Sequence, residues 1–175
     1  NILQPGPGVG GHCIAVDPWF IVHGAPEEAK IIRQARDTND AKMHHVLTQA
    51  SELIAANPGV PVACMGLAFK ANIDDFRESP ARFVAARLAR EFGQRIRIVE
   101  PYAKELPVEF GETGAQLIDI DTALETCGIL IVLVDHDLFR SIPEEERADA
   151  IIYDTRGIWG NQQGRSSPAA LRLAS

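Results

Sequence analysis

The heptapeptide GILIVLV, residues 128–134, constrains the fold more than any other stretch of the chain. Six consecutive aliphatic side chains leave no polar face, so the segment does not suit a surface with one side in water. It is also far shorter than the roughly 20 apolar residues that a membrane-crossing helix takes. It reads as a strand covered on both faces, the pattern of a parallel sheet. VPVACMGLAF (60–69), RIRIVEP (95–101) and AIIYDT (150–155) read as further strands. Between them, SPARFVAARLAREFG (79–93) reads as a helix with Ser79 as its cap, Pro80 in its first turn and Gly93 as its stop. Val84, Leu88 and Phe92 form its apolar stripe. IDTALETCG (120–128) reads as a short helix starting near Asp121, and DLFRSIPEEER (137–147) as a helical or turn segment. Alternating strands and helices predict an α/β fold, a parallel sheet with flanking helices and right-handed crossovers.

A different pattern precedes the sheet. Residues 26–57 lack glycine, and their apolar residues Ile31, Ile32, Ala35, Met43, Val46, Leu47, Ala50, Leu53 and Ile54 recur with helical spacing. Glu27 and Glu28 sit where a helix dipole favours acid, and DTND (37–40) could mark a bend. A helix of this length beside a compact domain packs on another domain or subunit. NPGVP (57–61) is a boundary signal, which divides the chain into residues 1–57 and 58–175. The tail from Gly160 reads as weakly ordered.

The chemistry concentrates in PGPGVGGHCIAVDP, residues 5–18. Gly10 and Gly11 carry no side chains, so a ligand can approach the backbone closely. Cys13 follows them. It is either a nucleophile, with its thiol favoured by a nearby helix N-terminus, or a plain small apolar residue. Asp17 lies one helical turn on. It either positions water and protons for the thiol or caps a helix before Pro18 that Gly24 ends. A Cys–His pair with His12 is disfavoured because adjacent side chains diverge. Zinc ligation by His12, Cys13 and His23, His44 or His45 fits no standard spacing, so no metal is expected.

In a parallel sheet, ligands bind beyond the carboxyl ends of the strands. Here those ends carry FKANIDDFRESP, VEPYAK, VDHD and DTRG, which predicts that Lys70, Arg77 and Arg156 gather on one rim. Strand ends also turn polar simply on reaching the surface. The first strand runs into GLAFKAN rather than GxGxxG, so this half reads as Rossmann-like without a dinucleotide fingerprint. A net charge of −7 without a Lys/Arg run argues against nucleic acid or anionic membrane as partners. Cys64 and Cys127 stand in apolar contexts and read as buried thiols of a cytoplasmic protein.

Three stretches together, GPGVGGHCIAVDP, GLAFKANIDDFRESPA and YDTRGIW, resemble motifs of the UDP-glucose/GDP-mannose dehydrogenase family, and in the family's order. NILQPGPGVGGHCIAVDPWFIV resembles the branch that oxidises UDP-N-acetyl-D-mannosamine to its uronic acid. The resemblance implies an NAD-binding domain upstream, absent from these residues. It further implies a central helix that joins the domains and forms a homodimer, and a Rossmann-like UDP-sugar-binding domain.

It implies a double oxidation of the sugar C6, with two hydrides passing to NAD. Cys13 would be the nucleophile and Asp17 its aid in proton transfer and hydrolysis. Gly6, Gly8, Gly10 and Gly11 would wrap the substrate, with Phe69, Lys70 and Arg156 contacting it. Arg77 would reach the NAD of the other domain. The family's catalytic lysine and its helpers would lie upstream, so these 175 residues alone are expected not to turn over. Competing readings are a UDP-sugar-binding and dimerisation module without turnover, a dehydrogenase of UDP-glucose, UDP-N-acetylglucosamine or UDP-N-acetylgalactosamine, and a cysteine hydrolase with a histidine partner.

Overall fold

The computed structural model describes residues 4–160. Two helices come first, α1 (Asp17–Gly24) and α2 (Lys30–Ala56). The sheet follows as β1 (Val62–Met65), α3 (Pro80–Phe92), β2 (Ile96–Val99), β3 (Gln116–Leu117), α4 (Ile120–Thr126), β4 (Ile129–Val132), α5 (Asp137–Arg140) and β5 (Ile151–Asp154). All five strands are parallel, in the order β3-β2-β1-β4-β5. The chain runs outward in one direction from β1 and then returns to start again at β4. The gap between the carboxyl ends of β1 and β4 is therefore the topological switch point, where such sheets bind ligands.

The apolar run behaves as its sequence predicts. Ile129, Leu130, Ile131 and Val132 are each fully buried, and successive side chains enter opposite cores. Cys64, Ile98 and Ile131 join the core under α2 and α3. Ala63, Met65, Leu130 and Val132 join the one under α4 and α5. Burial of each large aliphatic side chain contributes about 1.5–3 kcal/mol. Strand β3 has only two residues, too few for a periodic signal, and sequence reasoning missed it.

Helix α3 starts and stops where the sequence marks it. The Ser79 side chain accepts the Arg82 N–H at 3.3 Å, Pro80 opens the helix, and Gly93 takes φ 57 at its end. Other caps differ from expectation. Asp17 does not cap α1; it is the first helical residue, and Val16 occupies the cap without a side-chain bond. Helix α2 begins at Lys30, so Glu27 and Glu28 lie outside its first turn, and Glu27 pairs with Lys30 at 3.1 Å. Helix α4 is capped by Asp119, which accepts the Thr122 N–H at 2.8 Å.

Helix α2 runs unbroken through DTND and is about 40 Å long. Its later half sinks Val46, Ala50 and Ile54 into the α3 core, while Ile31 near its start is 84% exposed. Among the described residues no helix is long and apolar enough to cross a membrane.

Candidate active site

The glycine loop crosses the switch point from outside. It is held there by backbone apposition. The Gly11 N–H donates to the Glu78 carbonyl at 3.2 Å. A Cβ added to Gly10 would stand 2.1 Å from that same carbonyl oxygen, inside any real contact. Gly11 has φ +95, and a Cβ there would meet the Phe69 ring at 3.0 Å. Gly6 faces Arg156, and Gly8 faces Met43 and Pro80. A second latch comes from α2. Asn39 accepts the Val9 N–H at 2.7 Å and donates to the Val9 carbonyl at 3.1 Å. Sequence reasoning offered DTND as a possible bend. The signal it missed was an asparagine in a helix interior, a poor helix former kept for its two-way amide.

The sheet supplies the opposite wall. Phe69 and Lys70 follow β1, Asp135 follows β4, and Arg156 follows β5; together with Pro7 and Gly8 they line one hollow. Arg156 Nη2 donates to Asp135 Oδ1 at 2.6 Å, and Arg140 Nη2 to Oδ2 at 2.5 Å. Burial pushes the Asp135 carboxyl up, but the charges and hydrogen bonds of Arg156 and Arg140 outweigh it and hold it below the usual carboxylate range. The Arg156 turn is fixed by Asp154, whose carboxylate accepts the N–H groups of Arg156, Gly157 and Trp159 at 2.8–2.9 Å.

Cys13 is exposed, in the turn before α1 and two residues after Gly11. The helix does not start at Cys13 but four residues on. The Cys13 carbonyl closes the turn, accepting from Asp17 N–H at 2.8 Å and Val16 N–H at 3.1 Å. Among the described residues no histidine hydrogen-bonds the Cys13 thiol, and no group of three His, Cys, Asp or Glu could hold a metal. Cys64 and Cys127 are buried; burial raises both thiols, Cys64 to about 12.

Arg77 does not join Lys70 and Arg156 in lining the hollow. It is exposed and forks onto both oxygens of Asp75, at 2.9 and 2.6 Å, and this bond lowers Asp75 to about 2. A cleft of about 710 Å³ lies elsewhere, between α1, α2 and α3; Cys13, Phe69 and Arg156 do not line it.

A dinucleotide does not fit this half-domain. The turn after β1 offers Gly66 and then buried Leu67 and Ala68 where a pyrophosphate would need bare backbone. Glu100, at the end of β2, occupies the position where dinucleotide folds keep an acid for ribose. Its carboxylate is turned inward onto the N–H groups of Leu67, Ala68 and Tyr102.

Comparison with known proteins shows the family. Residues 63–161 match the UDP-binding domain of the UDP-glucose/GDP-mannose dehydrogenase family, and residues 1–41 match its central domain. The chain belongs to this family. The curated relatives include an NDP-N-acetyl-D-galactosaminuronic acid dehydrogenase of Ralstonia nicotianae, 47% identical over 91% of the chain and 37% of the relative. They also include a UDP-N-acetyl-D-mannosamine dehydrogenase of Salmonella typhimurium, 47% identical over 91% of the chain and 40% of the relative.

Among solved structures, a UDP-D-ManNAc dehydrogenase from Pyrococcus horikoshii superposes with a TM-score of 0.74 at 28% identity, covering 92% of the chain and 38% of that protein. A GDP-mannose dehydrogenase from Pseudomonas aeruginosa superposes at 0.75 and 21% identity, over 94% of the chain and 39% of that protein, which speaks for the fold alone. The chain thus spans about two fifths of the length of the relatives it matches.

Proposed function

We propose that the chain is the UDP-sugar-binding portion of an NAD-dependent 6-dehydrogenase that converts UDP-N-acetyl-D-mannosamine to its uronate. The observation that carries this reading is the convergence of the bare loop Gly6–Gly11, Phe69 and Arg156 at the switch point, with an exposed thiol at Cys13. Lys70 and Arg156 are the cations available to a diphosphate, and Phe69 offers an apolar face to the sugar nucleotide. The hollow under the loop is only about 10 Å³, so binding requires the loop to lift from Phe69 and Arg156.

NAD, bound by residues outside this chain and approached by Arg77, supplies the hydride acceptor. The chain's own part begins once C6 is an aldehyde. The Cys13 sulfur adds to the carbonyl carbon, and the carbonyl oxygen takes the proton. Loss of the second hydride from C6, together with the hydroxyl proton to solvent, would leave a thioester. Water, steered by Asp17, adds at that carbon, the C–S bond breaks, and the carboxylate and free thiol result.

A second reading differs only in the sugar. The 47% identity to the galactosaminuronic acid dehydrogenase favours an N-acetylgalactosamine nucleotide as strongly as the other relative favours mannosamine. The exposed Phe20, Ile21 and Ile31 on α1 and the start of α2 support a homodimer through the central helix.

The deciding experiment joins the chain to an upstream NAD domain of a relative and follows NADH with both sugar nucleotides. Two NADH per UDP-N-acetylmannosamine, lost in Cys13→Ser, is the expected result. Two NADH from the galactosamine nucleotide alone replaces the sugar and keeps the mechanism. No NADH with any UDP-sugar from a folded hybrid that binds NAD overturns the reading.

A further inference from the structure

We infer that Glu100 and His136 are positioning residues for this site: they clamp the segment 67–72 at both ends and so set Phe69 and Lys70 against the glycine loop. Both side chains are fully buried, and neither lines the hollow. At one end, Glu100 Oε2 accepts the Leu67 N–H at 2.6 Å and the Ala68 N–H at 3.2 Å. Its Oε1 accepts the Tyr102 N–H at 3.1 Å. At the other end, His136 Nδ1 accepts the Asn72 N–H at 2.9 Å.

That bond assigns the tautomer. A nitrogen that accepts carries no proton, so the neutral ring is protonated at Nε2, and it is this N–H that donates to Glu100 Oε2 at 3.3 Å. All of these partners of Glu100 are donors, as suits an ionised carboxylate, which is acceptor-only at both oxygens. Burial pushes the Glu100 carboxyl up, but the bonds from His136, Leu67 and Tyr102 outweigh it and leave it lowered.

Asn72 is gripped a second time by Asp137, whose N–H donates to its Oδ1 at 3.0 Å and whose Oδ2 accepts from its Nδ2 at 2.8 Å. These contacts hold Asn72 at φ 61, a conformation that non-glycine residues rarely adopt unaided. Only Phe69, Lys70 and Ala71 lie between the two anchors. Phe69 is the residue that meets Gly11, and Lys70 shares the hollow with Arg156. The carboxyl ends of β1, β2 and β4 are thus tied through one buried acid–imidazole pair.

The ligand readout rests on the UDP-sugar reading above; the structural readouts do not. In the 175-residue chain, long-range 1H–15N spectra are expected to show His136 protonated at Nε2. An NOE is expected between the Phe69 ring and the Gly11 α-protons. His136→Gln keeps a donor for Glu100 but loses the acceptor for Asn72; His136→Asn does the reverse. His136→Gln should speed amide exchange at Asn72, weaken the Phe69–Gly11 NOE and lower UDP affinity, each by roughly tenfold. His136→Asn should restore UDP affinity towards wild type. A proton on Nδ1 overturns the inference. So do variants that lose urea resistance yet keep both the NOE and wild-type UDP affinity, the mark of a merely structural role. If wild type itself binds no UDP, the UDP-sugar reading fails, while exchange and NOE still decide the clamp. If His136→Gln does not fold, the wild-type tautomer decides it: Nε2 sustains it and Nδ1 overturns it.

Discussion

Strand β4 and the glycine loop meet at the same site and are built by opposite means. From Ile129 to Leu133 no side chain is more than 1% exposed, and each is held by packing from both faces. Across the site Cys13 is exposed, Ile14 is 51% exposed, and the loop is held by the backbone contact of Gly11 with Glu78 and the amide latch of Asn39. The strand is stabilised by area removed from water. The loop is stabilised by having no side chain where one would collide. A reactive thiol needs the second kind of support, because the first would bury it and raise its pKa, as burial does to Cys64.

Substitutions should separate the two regimes. The largest effect is expected in the strand: Ile131→Ala leaves a void in the core under α2 and α3 and should cost about 3 kcal/mol in urea unfolding. The protein that remains folded should keep its UDP affinity, and a loss there would break the distinction. Next comes Gly10→Ala, whose new Cβ must push the loop off the Glu78 carbonyl. It should cost roughly 1–2 kcal/mol in stability but lower UDP affinity by roughly tenfold or more, read by titration calorimetry. A wild-type affinity would show that the close approach is not needed for binding.

Asp135→Asn is expected to be smaller, about 1 kcal/mol, through weakened bonds to Arg156 and Arg140. Its pH dependence has a definite sign. The Asp135 carboxyl is lowered in the folded chain, so its contribution is present above the unfolded value of about 4 and is lost as pH falls through the folded value. Wild type and variant should differ in urea midpoint at pH 7 and converge in acid; divergence in acid would reverse the assignment. Smallest is Cys13→Ser, which should shift stability by no more than about 0.5 kcal/mol, as an exposed residue does. Iodoacetamide should label Cys13 in the native chain and reach Cys64 and Cys127 only on unfolding. Equal labelling of all three thiols would erase the contrast between the two regions.

Much of this was legible from local pattern alone. The run 129–134 reads as a doubly covered strand and holds β4, and Ser79, Pro80 and Gly93 bound α3 because caps and stops are properties of neighbouring residues. The bare loop before Cys13 was read as room for a ligand against the backbone. Tertiary structure added the protein groups that stand against it. It set Gly10 on Glu78, Gly11 on Phe69 and Gly6 on Arg156, contacts between residues far apart in the chain. It put the α1 start on Asp17 itself, kept α2 unbroken through Asn39, and turned Arg77 onto Asp75 away from the hollow. It also buried Glu100 against His136, a pairing across 36 positions that no local spacing reveals. Hydrophobic period and capping act within one element, whereas a site is made where the ends of several elements meet. That meeting depends on the order in which the strands pair, so it becomes visible only in the folded chain.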